Sequence, residues 1–307
     1  MRNLIAVLLS ACVIAGAQVS QPRLSDLDRK VKAAIRGFDG KVTLYAKNLD
    51  SGEAYGIEEN EKVRTASTIK LPIMIAVYQG VADGKWKLTD RLTLREEDRV
   101  SGSGVLREFS AGVELPIRDV MHMMIVVSDN TATNLILERI TADYVNEVMD
   151  KYGFPATRSM RKVRGDGNQL TAPTGWSKAG KLPENEKYGL GSSTPKDMVA
   201  LIEKLTRGEI VSPEASKEML AVLTRQQDDN GMARRLPEGF RASNKAGALD
   251  ALRSDIGLVQ GPLKNGKRTR IALAITVDRM PKIDYTNDNI GLILIAELTK
   301  ILIAGLE

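Results

Sequence analysis

The chain contains Ser67-Thr68-Ile69-Lys70, followed by Ser128-Asp129-Asn130 and then by Lys245-Ala246-Gly247. A serine hydroxyl is a weak nucleophile near neutral pH and needs a neighbouring base. A lysine three residues after a serine lies on the same face of a helix, so Lys70 is placed to serve Ser67. Together the three motifs offer a nucleophile, a proton shuttle and a cation, which is a set suited to acyl transfer.

The segments before Ser67 predict a helix and a β-hairpin. Apolar residues recur at helical spacing from Leu24 to Phe38, and Asp39-Gly40 then favours a turn. Residues 41–48 and 53–57 show extended patterns separated by turn residues. Similar patterns return near the C-terminus: strands are predicted at residues 242–248, 254–261 and 268–278, and a final helix at residues 287–306.

The residues between these two strand groups are mainly helical in pattern. Helical spacing predicts helices at residues 71–80, 116–127, 131–140, 142–152 and 194–206. The last of them begins with Thr194-Pro195-Lys196-Asp197, in which Thr194 suits the N-cap, Pro195 the first helical position and Asp197 the positive end of the helix dipole.

These patterns predict an α+β fold. The first and last segments form an antiparallel sheet flanked by N- and C-terminal helices, and the middle forms an all-α lobe. We expect an α/β lobe at about residues 18–66 and 238–307 and a helical lobe at about residues 67–237. A cleft between two lobes is a natural small-molecule site, and the three motifs are expected to meet there.

The N-terminus predicts export. Arg2 precedes an apolar run from Leu4 to Ile14, and Ala15-Gly16-Ala17 follows as a small-residue cleavage site. We expect a signal peptide at residues 1–17 and a periplasmic protein at residues 18–307. An alternative is lipoprotein processing, which would leave a lipid-anchored Cys12.

Composition narrows the classes of protein that the chain can belong to. Its 307 residues are 43% hydrophobic and 27% charged, as in ordinary globular proteins. Cys12 is the only cysteine, so the folded part has no disulfide. The net charge is +5, or +4 without residues 1–17, and the basic residues form no stripe with interleaved aromatics, which argues against nucleic-acid binding. No later apolar run reaches the length of a membrane span, and nothing in the sequence indicates an oligomeric state.

With these motifs the chain resembles the class A serine β-lactamases, within the wider family of penicillin-recognising serine acyl-enzymes. The resemblance covers nearly all of the mature chain. It includes the export signal, the order and wide spacing of the three motifs, and the Ser101-Gly102-Ser103-Gly104-Val105-Leu106 loop. It also includes the apolar run ahead of residues 128–134. It implies a β-lactamase/transpeptidase-like fold and a small-molecule β-lactam substrate, with no cofactor and no metal.

The resemblance implies catalytic roles for three side chains. Ser67 attacks the lactam carbonyl, and Lys70 takes or relays the proton of Ser67. Lysine can do so only if its pKa is lowered, which burial and a second cation such as Lys245 favour. Ser128 passes a proton to the departing ring nitrogen, and Asn130 hydrogen-bonds the acyl-amide side chain of the substrate.

The resemblance also implies substrate-binding roles on the later strand. The backbone N–H groups of Ser67 and Ala248 form the oxyanion hole, in which one donor is typically worth about 2.7–4 kcal/mol in the transition state. Lys245 meets the substrate carboxylate, and Gly247 lies beside it in the same motif. Residue 246 is alanine where the family has threonine or serine, so a hydroxyl for the carboxylate is missing. Arg253 or Ser254, just downstream, is expected to compensate, and the alternative is that each is an ordinary surface residue.

A second departure concerns deacylation. Family members use a loop glutamate, four residues before an asparagine, to hold the hydrolytic water, and no Glu-x-x-x-Asn occurs between Phe154 and Thr194. Asp166 is the nearest carboxylate by position, and the alternative is that it only shapes a Gly-rich turn. Glu184 and Glu186 are poorer candidates, and Asn134 is expected to brace this loop.

Other catalytic classes fit poorly. The only histidine, His122, lies in the apolar run 120–127, and no Gly-x-Ser-x-Gly elbow is present. One histidine and one cysteine are too few for a typical zinc site. The sequence thus predicts an exported serine β-lactamase, associated with β-lactam catabolism and antibiotic resistance. The alternatives are a slow penicillin-binding acyl-enzyme or D-alanyl-D-alanine carboxypeptidase, and a non-catalytic exported binding protein with the same fold.

Overall fold

A computed structural model describes residues 21–165, 175–264 and 267–307. Within these ranges the chain forms eight α-helices, which are, in chain order, α1 (Gln21–Ile35), α2 (Lys70–Ala82), α3 (Ile117–Val126), α4 (Asn130–Ile140), α5 (Ala142–Lys151), α6 (Pro195–Thr206), α7 (Pro213–Leu223) and α8 (Ile290–Leu306).

The same ranges contain ten strands. In chain order they are β1 (Lys41–Asn48), β2 (Ala54–Ile57), β3 (Val63–Arg64), β4 (Arg91–Thr93), β5 (Glu114–Pro116), β6 (Arg158–Ser159), β7 (Gly191–Ser193), β8 (Arg241–Leu249), β9 (Leu252–Lys264) and β10 (Lys267–Asp278). Five of them form the main sheet in the order β2-β1-β10-β9-β8, and every neighbouring pair is antiparallel. The remaining strands form two small sheets, β3-β7-β6 and β4-β5.

The main sheet has an apolar layer on each face because β10 alternates strictly. Ile271, Leu273 and Ile275 are buried with the residues of α1 and α8, whereas Ala272 and Ala274 are buried with the core of the helical segment, which includes α6. Successive side chains of a strand point to opposite faces, so one strand serves two hydrophobic layers. The sheet is therefore covered by the N- and C-terminal helices on one face and by helices from the middle of the chain on the other.

Helix α2 lies at the centre of the helical segment. Every residue from Lys70 to Gly80 is buried, and this helix contacts α3, α4, α5 and α7. A helix surrounded on all sides has no polar face. The nucleophile motif therefore leads directly into a helix that is buried on all sides.

The predicted α+β fold with an antiparallel sheet is confirmed. Thr194 caps α6 as predicted, with its hydroxyl accepting a hydrogen bond from the Asp197 amide at 3.0 Å. The sequence predictions omit α7 and the short strands β3 to β7. Residues 1–20, which hold the expected signal peptide and Cys12, lie outside the described ranges. No helix in those ranges is both long and apolar enough to cross a membrane.

Candidate active site

Ser67 lies in a short 3₁₀ turn, Ala66–Ile69, that runs directly into α2. The preceding Ala66 has a φ of 48°, which is unusual for a residue with a β-carbon. Non-glycine residues in this region cost free energy and cluster at functional sites. Ser67 itself is partly exposed although both of its neighbours, Ala66 and Thr68, are buried. The turn thus leaves Ser67 accessible at the buried N-terminal end of α2.

Lys70 is fully buried and joins the first two motifs. Its Nζ lies 3.2 Å from Ser128 Oγ, 2.8 Å from the Ser128 carbonyl oxygen and 3.0 Å from Asn130 Oδ1. Burial lowers the pKa of Lys70 well below its usual value, and the positive charge of Lys245 lowers it further, while Asp129 opposes both effects. A lysine in this environment can be the neutral amine that a general base requires.

Ser128 precedes α4 in a strained conformation, with a φ of 54°. Both its carbonyl oxygen and its hydroxyl oxygen lie within hydrogen-bond distance of Lys70 Nζ. The next residue, Asp129, is the N-cap of α4 and accepts a hydrogen bond from the Ala132 amide at 2.8 Å. The start of α4 therefore fixes the position of the second hydroxyl of the site.

Asp129 also holds the loop at residues 101–106. Its Oδ2 accepts hydrogen bonds from the amides of Val105 and Leu106, each at 2.7 Å. Gly104 makes this approach possible: its φ is 106°, and a β-carbon there would lie 2.2 Å from the Asp129 carboxyl carbon. The buried carboxylate of Asp129 thus holds this loop against the start of α4. The Ser-Asp-Asn motif alone did not predict that role.

Asn130 is held between Lys70 and the same loop. Its Oδ1 accepts from Lys70 Nζ, and its Nδ2 donates to the Ser101 carbonyl at 3.1 Å. Its backbone amide donates to the Ser103 carbonyl at 2.9 Å. These contacts orient the amide group that the resemblance assigns to substrate binding.

Lys245 lies on β8 and is fully buried. Its Nζ donates to the carbonyl oxygen of Ala246 at 2.7 Å. Burial lowers the pKa of Lys245 to about 8, while the negative charges of Asp228 and Asp255 act in the opposite direction. The charge of Lys245 acts on Lys70, so the third motif lies within electrostatic range of the first.

A second buried carboxylate supports β8 from the neighbouring strand. Asp255 is opposite Ala246 in the sheet register and accepts hydrogen bonds from Asn244 Nδ2 and the Met232 amide, each at 2.9 Å. Burial raises its pKa to about 7, and these hydrogen bonds and Lys245 act in the opposite direction. Sequence reasoning missed Asp255 because only the strand register places it beside the third motif.

Gly247 brings β8 against the nucleophile turn. A β-carbon at this position would lie 3.0 Å from the amide nitrogen of Ser67 and 2.9 Å from the carbonyl oxygen of Thr65. The next residue on the strand is Ala248, whose amide is the second predicted oxyanion donor. The absence of a side chain at residue 247 thus lets the predicted pair of donors approach each other.

Arg253 and Ser254 both have backbone partners. Arg253 is buried and donates to the carbonyl oxygens of Leu249 and Leu252, each at 2.6 Å, and also to that of Asp284. Ser254 Oγ donates to the Thr65 carbonyl at 3.2 Å. Both side chains therefore hold separate segments of the backbone together. That either one replaces the missing hydroxyl at residue 246 stays a prediction.

Asp166 lies outside the described residues, but the segment that leads to it is held at the site. Asn134 exchanges two hydrogen bonds with the backbone of Val163, one at 2.8 Å and one at 2.9 Å. Gly165 has a φ of 66°, and a β-carbon there would lie 2.5 Å from Ser101 Oγ. The expected bracing role of Asn134 agrees with this geometry. Glu184 and Glu186 lie exposed on the turn Pro183–Tyr188.

His122 is half-buried in α3, and burial lowers its pKa. In the part of the chain that the structure describes, no three His, Cys, Asp or Glu side chains are grouped closely enough to hold a metal ion. The site is built instead from hydroxyls, amines and backbone amides.

The sheet, its covering helices and these motifs define a protein of the β-lactamase/transpeptidase fold. The model of the beta-lactamase enzyme family matches residues 26–306, and the chain therefore belongs to that family. The resemblance to class A members is confirmed.

Three comparisons illustrate the relationship. An imipenem-hydrolyzing beta-lactamase from Enterobacter cloacae is 26% identical over 70% of this chain and 68% of its own length. A beta-lactamase from Sphaerobacter thermophilus is 31% identical, with a TM-score of 0.76 over 92% of this chain and 97% of that chain. A mutant of PBP-A, solved as an acyl-enzyme complex with penicillin G, is 26% identical, with a TM-score of 0.73 over 91% of this chain and 95% of that chain.

Proposed function

We propose that this protein hydrolyses the amide bond of β-lactams through a covalent acyl intermediate on Ser67. The observation that carries the proposal is the environment of Lys70, a fully buried amine within 3.2 Å of the Ser128 hydroxyl and one helical turn from Ser67. Membership of the beta-lactamase enzyme family supports the substrate class. The mechanism below follows from the chemistry of these groups.

Acylation begins with the neutral amine of Lys70. Because its pKa is lowered, Lys70 accepts the proton of Ser67 Oγ as that oxygen bonds to the lactam carbonyl carbon. The carbonyl π electrons move onto the carbonyl oxygen and give a tetrahedral oxyanion. The amides of Ser67 and Ala248 donate to this oxyanion, which is the electrostatic stabilisation that acyl transfer requires.

Collapse of the oxyanion breaks the bond between carbonyl carbon and lactam nitrogen. Ser128 gives its hydroxyl proton to that nitrogen and recovers a proton from protonated Lys70, whose Nζ lies 3.2 Å away. The products of this half-reaction are an ester on Ser67 and a ring-opened amine, and Lys70 is neutral again. Asn130 holds the substrate's amide side chain, and cationic Lys245 attracts its carboxylate.

Hydrolysis of the ester needs a water and a base. We assign the base to Asp166, because the segment just before it is anchored to Asn134 and Gly165 lies against Ser101. The carboxylate removes a proton from water as the water oxygen attacks the ester carbonyl carbon and forms a tetrahedral oxyanion. Collapse of this oxyanion breaks the bond from the carbonyl carbon to Ser67 Oγ, which takes the proton back from protonated Asp166, so free Ser67, the Asp166 carboxylate and the ring-opened acid are left. A positioned general base typically contributes about 10²–10⁴ in rate.

The wider setting is also part of the proposal. Residues 1–17 act as an export signal, so the mature chain works in the periplasm, where it would confer resistance to β-lactams. In the alternative, the exported chain is a lipoprotein that is anchored through Cys12. We also propose two lobes, divided at about residues 67 and 237, with the site in the cleft between them.

A chromogenic cephalosporin assay combined with intact-mass spectrometry tests this function. Steady hydrolysis is expected, together with a transient adduct. Ser67→Ala should abolish both, whereas Ser110→Ala, at an exposed serine on the loop before β5, should change neither. Absence of both hydrolysis and adduct in the wild-type protein would contradict the proposal and favour a non-catalytic binding protein.

A slow penicillin-binding acyl-enzyme or a D-alanyl-D-alanine carboxypeptidase is the second candidate. Ala246 in the third motif and the missing loop glutamate favour it, and the acyl-enzyme complex of PBP-A with penicillin G gives a precedent in a related structure. A persistent adduct with little turnover, or release of D-alanine from a D-alanyl-D-alanine peptide, would favour this candidate over the first.

A further inference from the structure

A groove separate from the acyl-transfer site lies beside the opposite part of the sheet. Its volume is about 340 Å³, and it is lined by the start of β1, the end of β10, β3 and the turn that ends at Tyr188. Cavities of roughly 300–1,000 Å³ are typical of small-molecule sites. The groove has no role in the reaction described above.

The sheet register fixes the distance between the two sites. Gly247, Ser254, Thr276 and Thr43 are successive cross-strand partners on β8, β9, β10 and β1. The active site lies at the Gly247 end of this row, and the groove is lined by Thr276 and Thr43. Neighbouring strands are about 4.8 Å apart, so β8 and β1 are separated by about 14 Å.

The lining of the groove is strongly cationic. Five lining residues are Lys or Arg and two are acidic, which is a formal excess of three positive charges. Lys41 pairs with Glu58 and Glu61, and Arg64 pairs with Asp278. The other three cations, Lys62, Lys187 and Arg279, have no ion pair within residues 21–165, 175–264 and 267–307.

Tyr188 brings two of these cations together. Lys62 Nζ lies 4.9 Å and Lys187 Nζ 5.2 Å from the centre of its ring. Partial burial lowers the pKa of Lys62, and the positive charges of Arg158 and Lys187 lower it further, while the negative charge of Glu184 acts in the opposite direction. Like charges held this close repel each other, and a bound anion would relieve the repulsion.

Thr43 lines the groove and carries a buried hydroxyl. Thr43 is 2% exposed, and its Oγ1 has no hydrogen-bond partner among the residues that the structure describes. A buried polar group without a partner typically costs about 1–3 kcal/mol, so native proteins rarely leave one unexplained. Because this oxygen is shielded, the side chain must turn about its Cα–Cβ bond before the hydroxyl can donate to an anionic oxygen in the groove.

We propose that this groove binds a small multivalent oxyanion, carrying two or more carboxylate or phosphate groups. Lys62, Lys187 and Arg279 neutralise its charges, and the Thr43 hydroxyl donates to one of its oxygens. Carboxylates and phosphates share this recognition chemistry, because both present several acceptor oxygens to cationic side chains.

Calorimetric titration of the wild-type protein at about 0.1 M salt, where the screening length is about 10 Å, tests the proposal with citrate in one arm and pyrophosphate in the other. We expect saturable binding with one site, and the tighter of the two probes identifies the preferred group. The double variant Lys62→Gln/Lys187→Gln should weaken binding about tenfold or more, which corresponds to about 1.4 kcal/mol. Thr43→Val, which keeps the side-chain volume but removes the donor, should weaken it about fivefold.

The matched control is Lys217→Gln/Lys300→Gln, which removes the same two charges from exposed positions on α7 and α8. It should leave the affinity within about twofold, because distant exposed charges are screened. Equal weakening by both double variants would overturn the proposal, since binding would then follow net charge alone. It would also be overturned if Thr43→Val bound as tightly as the wild type, or if neither probe bound below about 10 mM.

Discussion

A β-carbon on Gly247 would lie 3.0 Å from the backbone nitrogen of Ser67. This contact is tighter than ordinary van der Waals packing allows between a carbon and an amide nitrogen. The strand that carries Lys245 and the turn that carries the nucleophile therefore meet at a position that only glycine fits. The separation of the two predicted oxyanion donors depends on this residue.

Gly247→Ala tests that dependence. The added methyl should push β8 away from the turn and widen the oxyanion hole, and loss of one donor typically costs about 10²–10³ in kcat. We expect a fall of that size in kcat for a chromogenic cephalosporin. Gly56→Ala creates a similar 3.0 Å contact on the remote edge strand β2 and should leave kcat unchanged. Equal activity of the two variants would contradict the proposed role.

Lys245 predicts a pH dependence of substrate binding. Its pKa is lowered to about 8, so it is cationic below that pH and neutral above it. Attraction of the substrate carboxylate is therefore present at low pH and is lost as the pH rises through about 8. KM for a carboxylate-bearing β-lactam should rise over this interval. Steady-state profiles between about pH 6 and pH 10 measure it. In Lys245→Arg the rise should disappear, because arginine stays charged.

The hydrogen bonds of Asp129 predict that replacing its carboxylate destabilises the fold. Its carboxylate accepts three backbone hydrogen bonds, from Ala132, Val105 and Leu106. In Asp129→Asn only one side-chain oxygen remains, and an N–H group faces a backbone donor. We expect the free energy of unfolding to fall by about 3 kcal/mol, measured by urea denaturation. The exposed control Asp229→Asn should change it by less than about 0.5 kcal/mol. Equal stabilities of the two variants would show that the loop does not depend on this carboxylate.

The proposed role of Asp166 predicts that its loss slows hydrolysis of the adduct and not its formation. If its carboxylate activates the hydrolytic water, Asp166→Asn should lengthen the lifetime of the penicillin adduct by about 10²–10⁴ and leave the rate of adduct formation nearly unchanged. Mass spectrometry after rapid quenching gives both rates. Glu184→Gln, at the exposed carboxylate that is the poorer candidate for this base, should leave the lifetime unchanged. An unaltered lifetime in Asp166→Asn would remove this residue from the mechanism.

The sequence predicted the long elements well because their patterns are local. The predicted strand at residues 41–48 matches β1, and the cap at Thr194 begins α6. Strands β3 and β7 were not predicted because each has only two or three residues, and pairing between distant segments defines them. Helix α7 was omitted even though Ser212 caps it and Pro213 follows, which is an ordinary start signal that the sequence contained.

The sequence motifs predicted which residues meet at the candidate site better than they predicted what surrounds those residues. The motifs named Lys70, Ser128 and Asn130, which the fold brings into contact. The carboxylate of Asp255 and the occupied guanidinium of Arg253 depend on tertiary packing, so spacing along the chain carries no signal for them. Burial, which controls the pKa of both site lysines, likewise appears only in the folded chain.

The most direct test of the account is to locate the covalent bond. Benzylpenicillin is mixed with the protein, the reaction is quenched at successive times, and proteolytic peptides are sequenced by mass spectrometry. We expect a transient adduct on Ser67 with the mass of the whole penicillin. Lys70→Met should form it at least about 10²-fold more slowly, because the base is missing. An adduct on another residue, or one that forms equally fast in Lys70→Met, would contradict the central claim.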